Sequence, residues 1–286
     1  MERKVAFRGW SVTNRRVARG LQLASLLALY ALFAIGYSLL VPLWEAPDET
    51  THYLVVEHVA RHGEMPPFEV SYEAMQPPGY YWLAGALLRF LEGVDPQLTA
   101  RTRPALTPQS SYTRYDWTAQ NYRFMWGLQM LRWFNAALGA IALFFIHQGS
   151  RELLAVKENG SASTSIGPSP LAVAALVALT PQFLHNATSV SNDALANACG
   201  ALLFWLLVQS ALRPPGARRL ALAALTATVL PFLIKLTILP TSAALLLVLA
   251  WRAWRARRRL FVTTVATSSA ALAAGMVLVA PASALL

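Results

Sequence analysis

The stretch GLQLASLLALYALFAIGYSLLVPLW, residues 20–44, carries no charged side chain and runs directly into EAPDETTHY, residues 45–53. The apolar run is long enough to cross a hydrocarbon core of about 30 Å. It is too long for the core of a secretory signal peptide, and no small-residue cleavage site follows it. It is therefore read as a retained first membrane helix. What then needs explaining is the carboxylate pair Asp48 and Glu49, placed where the chain leaves the bilayer.

The rest of the 286-residue chain supports a membrane reading: 56% of residues are hydrophobic and 13% charged, against about 25% charged in ordinary soluble domains. Mean hydropathy is +0.42. The net charge of +10 is not laid out as a nucleic-acid-binding stripe. The cations fall in short blocks between apolar runs, as membrane anchors do. The single cysteine, Cys199, lies within an apolar run and can form no disulfide inside the chain.

Further apolar runs cover residues 133–150 (with Arg132 at the leading edge), 170–185, 194–212, 220–234, 236–251 and 260–286. Backbone groups in lipid must be satisfied internally, so these runs are expected to be helices. The fold class expected is all-α: a polytopic membrane bundle of about seven transmembrane helices, forming a single domain over residues 1–286. The basic blocks before the first run, around Arg151 and Lys157, in RPPGARR and in WRAWRARRR are placed on the cytoplasmic side by the positive-inside rule. The N-terminus is then cytoplasmic, and residues 44–122, the NATSVSND turn and the Lys235 turn are outside. Of the 14 acidic residues, all but Glu2, Glu152 and Glu158 fall in those outer segments.

The long outer loop is expected to carry two surface helices, over residues 47–61 and 77–91. The second is too short for a span and places Tyr80, Tyr81 and Trp82 at headgroup level. A polar stretch, residues 99–122, follows as a mobile loop or lid. The chain ends at VAPASALL in an apolar run, so a C-terminal part of a larger protein is expected to be missing.

A carboxylate pair after Pro47 has a plain explanation as helix capping, with acids at the positive end of the helix dipole. The spacing adds a second one. His52, Val55, Val56 and Val59 form one apolar stripe, and Asp48 precedes His52 by four, so Asp48 is expected on that buried face. A desolvated carboxylate is a better general base. Glu49 is expected on the adjacent, more polar face.

Three features together resemble the membrane glycosyltransferases of the GT-C superfamily. These are the acidic pair after the first membrane helix, the proline-led aromatic segment Gln76-Pro77-Pro78-Gly79-Tyr80-Tyr81-Trp82, and Asn192-Asp193 before a later span. The likeness is to the branch containing dolichyl-phosphate-mannose protein mannosyltransferases and aminoarabinose transferases. It implies transfer of a sugar from a polyprenyl-phosphate donor to a lipid, glycan or protein acceptor at the outer face of a plasma membrane, expected here to be bacterial, with inversion. It makes Asp48 the catalytic base and Glu49 its neighbour orienting substrate. His52, Gln76, Tyr80, Tyr81, Asn192 and Asp193 are the expected substrate-binding residues, with no cofactor. Some relatives have a Glu-Lys pair before the double proline; Met75 and Gln76 stand there in this chain. Lys235, between Pro231 and Pro240, is a candidate phosphate-binding cation, with lipid snorkelling as the alternative. Arg61, Arg89, Arg101, Arg103 and Arg114 are others.

Asp48 and His52, at i and i+4, have the spacing to share a divalent ion. His62 stands roughly 21 Å away along the helix at about 1.5 Å per residue, so this helix alone cannot build a three-ligand site. The rival functions are a transporter and a non-catalytic membrane subunit or inactive fragment.

Overall fold

The computed structural model describes residues 3–42, 44–94, 119–160, 169–213, 215–255 and 268–269. Among them there is no β-strand. The main helices are α1 (Arg3–Leu40), α2 (Glu49–His62), α3 (Gly79–Val94), α4 (Ala119–Gly160), α5 (Pro170–Ala178), α6 (Pro181–Thr188), α7 (Asp193–Leu212), α8 (Ala217–Leu233) and α9 (Leu239–Arg255). Short 3-10 turns cover Tyr72–Met75 and Leu236–Ile238.

Four helical segments are long and apolar enough to cross a membrane: Gly20–Leu40, Trp126–Ala155, Asp193–Leu212 and Leu236–Arg255. A fifth is possible if α5 and α6 count as one span. The expected unbroken run over residues 170–185 is bent by 64° between those two helices. Pro181 lacks an N–H and disfavours helical backbone at Thr180, which is extended (φ −72°, ψ 121°). The run over 220–234 falls in α8, which has 17 residues and is not among the four. The run over 260–286 lies almost wholly outside the described residues. So does most of the expected mobile stretch 99–122, except that its last residues already belong to α4.

The bundle is organised around α4, which packs along α7 on one flank and against α1, α5 and α6 on the other. α9 lies on α7, and α8 on α9. Both segments expected to be helical between the first two long helices are so. α2 begins at Glu49 and stops at Gly63, whose φ of 77° is a left-handed cap that suits glycine. α3 starts after Pro77-Pro78 and packs on α2. That packing needs close approach: a Cβ on Gly85 would sit 2.8 Å from Val59 Cγ1. The aromatics at the start of α3 do not share one environment. Trp82, Leu83 and Phe90 are exposed, but Tyr80 and Tyr81 are wholly buried beneath them.

Replacing Gly85 by Ala should force α2 from α3 and cost about 1–3 kcal/mol by overpacking. Thermal unfolding of the purified protein in detergent reads this as a lowered midpoint.

Candidate functional site

The turn between α1 and α2 is held by a buried ion pair. Glu49 and Arg132, the latter from α4, are both fully buried. Arg132 Nε donates to Glu49 Oε1 at 2.8 Å and Nη2 to Oε2 at 2.6 Å. Nη1 donates to the carbonyls of Ser38 (2.9 Å) and Val41 (2.8 Å), and Nη2 also to that of Pro42 (3.0 Å). All five guanidinium N–H groups are thus used. The carboxylate is equally complete, because Trp44 N donates to Oε2 and Val190 N to Oε1, both at 3.0 Å. Burying two charges is tolerable only with such complete pairing. Glu49 is therefore not on a polar face. With every lone pair committed it holds the turn and has no acceptor left for a further partner. Arg132, seen in the sequence only as an interruption of an apolar run, is the residue that reasoning missed.

Asp48 also departs from expectation. It is the residue before α2, in left-handed backbone (φ 59°), and its side chain is exposed rather than desolvated. Trp44 (φ 71°) is the other non-glycine residue with positive φ among those described. Such backbone persists only where surroundings over-determine it, and here the Glu49–Arg132 pair does so. The Asp48 carbonyl accepts from His52 N at 2.9 Å and Thr51 Oγ1 at 2.8 Å. Its Oδ1 accepts a 2.6 Å hydrogen bond from the Tyr72 hydroxyl. That bond to a carboxylate raises the Tyr72 phenol above its ordinary value.

Behind this exposed carboxylate lies a buried polar layer. His52 Nδ1 hydrogen-bonds the Tyr81 hydroxyl at 2.8 Å, and the two rings stack. Glu73 Oε2 is 3.8 Å from the same nitrogen and has no hydrogen-bond partner. Burial first, then the charge of Lys235, pushes His52 down to about 4. Burial likewise raises Glu73, although a hydrogen bond with Gln76 opposes the shift. His52 is therefore neutral near pH 7, and its approach to Glu73 is not an ion pair. Glu73 and Tyr72 were not singled out in the sequence. The signal available was their place just before the double proline.

The third element comes from the α6–α7 and α8–α9 turns. Lys235 Nζ donates to Asp193 Oδ1 at 2.7 Å and Asn192 Oδ1 at 2.9 Å. Asn192 Nδ2 donates to Gln76 Oε1 at 3.0 Å. Gln76, Asn192, Asp193 and Lys235 thus form one connected string, with the Lys235 ammonium engaged by protein partners. The charges of Asp48, Asp193 and Lys235 all act on both His52 and Glu73. The structure so brings together Asp48, His52, Gln76, Tyr81, Asn192, Asp193 and Lys235. Tyr80 is not part of this face. It is wholly buried beside Asn135, which ties down the α6–α7 turn through the carbonyls of Ser189 (2.5 Å) and Ser191 (3.1 Å).

Among the other cations expected to reach phosphate, Arg61 is engaged by Glu57 at 2.6 Å and Arg89 is exposed, while Arg101, Arg103 and Arg114 lie outside the described residues. Among the described residues no three His, Cys, Asp or Glu side chains converge as a metal-ligand set. Chemically, the site offers an accessible carboxylate as base, a lysine between amide and carboxylate, and a neutral histidine buffered by tyrosine.

Arg132→Met or Glu49→Gln should each cost on the order of 3–5 kcal/mol by stranding a buried charge or its donors, and the double variant should recover part of that in thermal unfolding. Because folding depresses His52, its contribution to stability is complete above its ordinary value near 6.5 and is lost as pH falls toward 4. Unfolding midpoints of wild type and His52→Gln should therefore diverge between neutral pH and pH 6.5–4, with the variant flatter. Glu73 has the opposite sign: its contribution is lost as pH rises through its raised value, so Glu73→Gln should raise the midpoint at pH 8.

No protein-family model, characterised protein or solved structure matches this chain.

Proposed function

We propose that this chain is a membrane glycosyltransferase of GT-C type that moves a sugar from a polyprenyl-phosphate donor to an acceptor at the outer face of a bacterial plasma membrane. The observation that carries this reading is the convergence of Asp48, Asp193 and Lys235, from three separate turns, around His52 at one end of an apolar helical bundle. A lipid-linked donor is confined to the bilayer with its phosphate at the headgroup level. A base and a cation placed where helices leave the apolar region meet it at that depth.

In this scheme the acceptor hydroxyl gives its proton to Asp48 while its oxygen forms a bond to the anomeric carbon. The bond from that carbon to the phosphate oxygen breaks, and polyprenyl phosphate leaves with the electron pair. Attack opposite the leaving group inverts the anomeric configuration. Tyr72 fixes one oxygen of Asp48 and leaves the other free. Lys235, already in contact with Asn192 and Asp193, stabilises the departing charge by exchanging a protein partner for phosphate. Glu49 acts at one remove, by holding the turn that presents Asp48.

The orientation proposed is seven spans with the N-terminus inside. It draws support from the grouping of charge. Arg213 and Arg252 meet Glu152 and the α7 terminus at the end of the bundle remote from Asp48, as alternation of cytoplasmic basic loops requires. Arg132, the cation closest to the site within the Trp126–Ala155 span, has every donor engaged and is closed to a passing solute.

Asp48→Asn tests the reading directly. The side chain is exposed and makes one bond, so accumulation and thermal unfolding should be preserved. Transfer from a polyprenyl-phosphate sugar should fall by about 10²-fold or more, the usual worth of a general base. Undiminished transfer by this variant would overturn the assignment.

A further inference from the structure

The second concentration of charge lies at the opposite end of the bundle. α8 and α9 are joined by the short turn at Lys235 and pack together, so the first turn of α8 and the last turn of α9 come to the same end. α7 finishes there too: the Arg252 guanidinium donates to the Ala211 carbonyl. Five arginines gather in this region: Arg213, Arg218, Arg219, Arg252 and Arg255. Glu152 is a carboxylate set against them, held by Arg213 at 3.2 Å and by Gln209 at 3.0 Å.

The arrangement at α8 is unfavourable as it stands. Arg218 and Arg219 occupy the first helical turn, both exposed, and Gly216 at the cap position supplies no side-chain acceptor. The positive end of the helix dipole therefore faces two like charges. In the last turns of α9, at the same end of the bundle, the guanidinium carbons of Arg252 and Arg255 lie 5.1 and 4.6 Å from the Trp251 ring centroid. Trp251 is 43% exposed. Arginine with exposed tryptophan, at the end of a segment apolar enough to span, matches the headgroup layer of a bilayer.

We infer that this surface binds an anionic phospholipid headgroup. The phosphodiester accepts hydrogen bonds from Arg218 and Arg219 at the open start of α8, and Trp251 with its two arginines lies against the glycerol region. The charge complementarity is one-sided, since zwitterionic headgroups bring an ammonium to a patch already strongly positive. The inference stands on the membrane-spanning reading of α7 and α9 and is independent of the transferase assignment.

The test uses the full chain purified in detergent and stripped of lipid. Phosphatidylglycerol, phosphatidylcholine or inorganic phosphate is added separately, and thermal unfolding is followed alongside native mass spectrometry. Phosphatidylglycerol should raise the midpoint by several degrees and remain as a bound adduct, whereas phosphatidylcholine and millimolar phosphate should do neither. Arg218→Gln/Arg219→Gln should lose shift and adduct while its lipid-free midpoint stays level or rises, because like charges have been removed from the helix start. If that double variant loses helix content, the two single variants are read in the same way. An equal shift with phosphatidylcholine, an equal shift with phosphate alone, or an undiminished shift in the folded variants would each overturn the assignment.

Discussion

The geometry at the acidic end rests on the buried contact between Arg132 and Glu49. It is an expensive interaction to build, since both charges leave water. It succeeds because seven hydrogen bonds complete it: each guanidinium N–H and each carboxylate lone pair has an assigned mate. The result is a knot joining four parts of the chain. The carbonyls at the end of α1 and in the following turn meet Arg132 from α4, and the backbone of Val190 before α7 meets Glu49 at the start of α2. Hydrophobic packing alone is non-directional and would not set the register of these parts so closely.

That knot explains the division of labour between neighbouring acids. Glu49 is consumed by structure, and Asp48, one residue earlier, is left outside in left-handed backbone with its carboxylate accessible. The same constraint carries the α6–α7 turn to the site. Val190 is tied to Glu49, and two residues later Asn192 begins the string through Lys235 and Gln76. The accessible groups thus stand on a rigid buried layer, which is what a preorganised site needs.

The frame was legible in the apolar runs, because length and charge depletion are strong signals in a chain that must satisfy its backbone in lipid. The helices α2 and α3 were legible from proline starts and periodic stripes, to within a few residues. Four features were harder. Helical phasing put Asp48 above His52, but phase holds only inside a helix, and α2 begins one residue after Asp48. Glu49 was read as facing water because its partner lies 83 residues away, and no local pattern announces a pairing at that range. Tyr80 and Tyr81 look like interfacial aromatics in sequence, yet α3 turns them inward and leaves Trp82 outside. The bend before Pro181 could have been read from Thr180-Pro181. Arg132 within an apolar stretch was the clearest signal left unused, since an ionisable group at that depth calls for a named partner.

The 83-residue separation between Glu49 and Arg132 has a consequence for biogenesis. At translation speeds of about 5–20 residues per second, the carboxylate emerges roughly 4–17 s before its guanidinium has been synthesised. Through that interval an ionised Glu49 is best solvated by water, so the α1–α2 elbow waits hydrated beside the bilayer. Arrival of α4 then expels that water and seals the elbow, making maturation of the acidic end a late docking step rather than a property of the first hairpin.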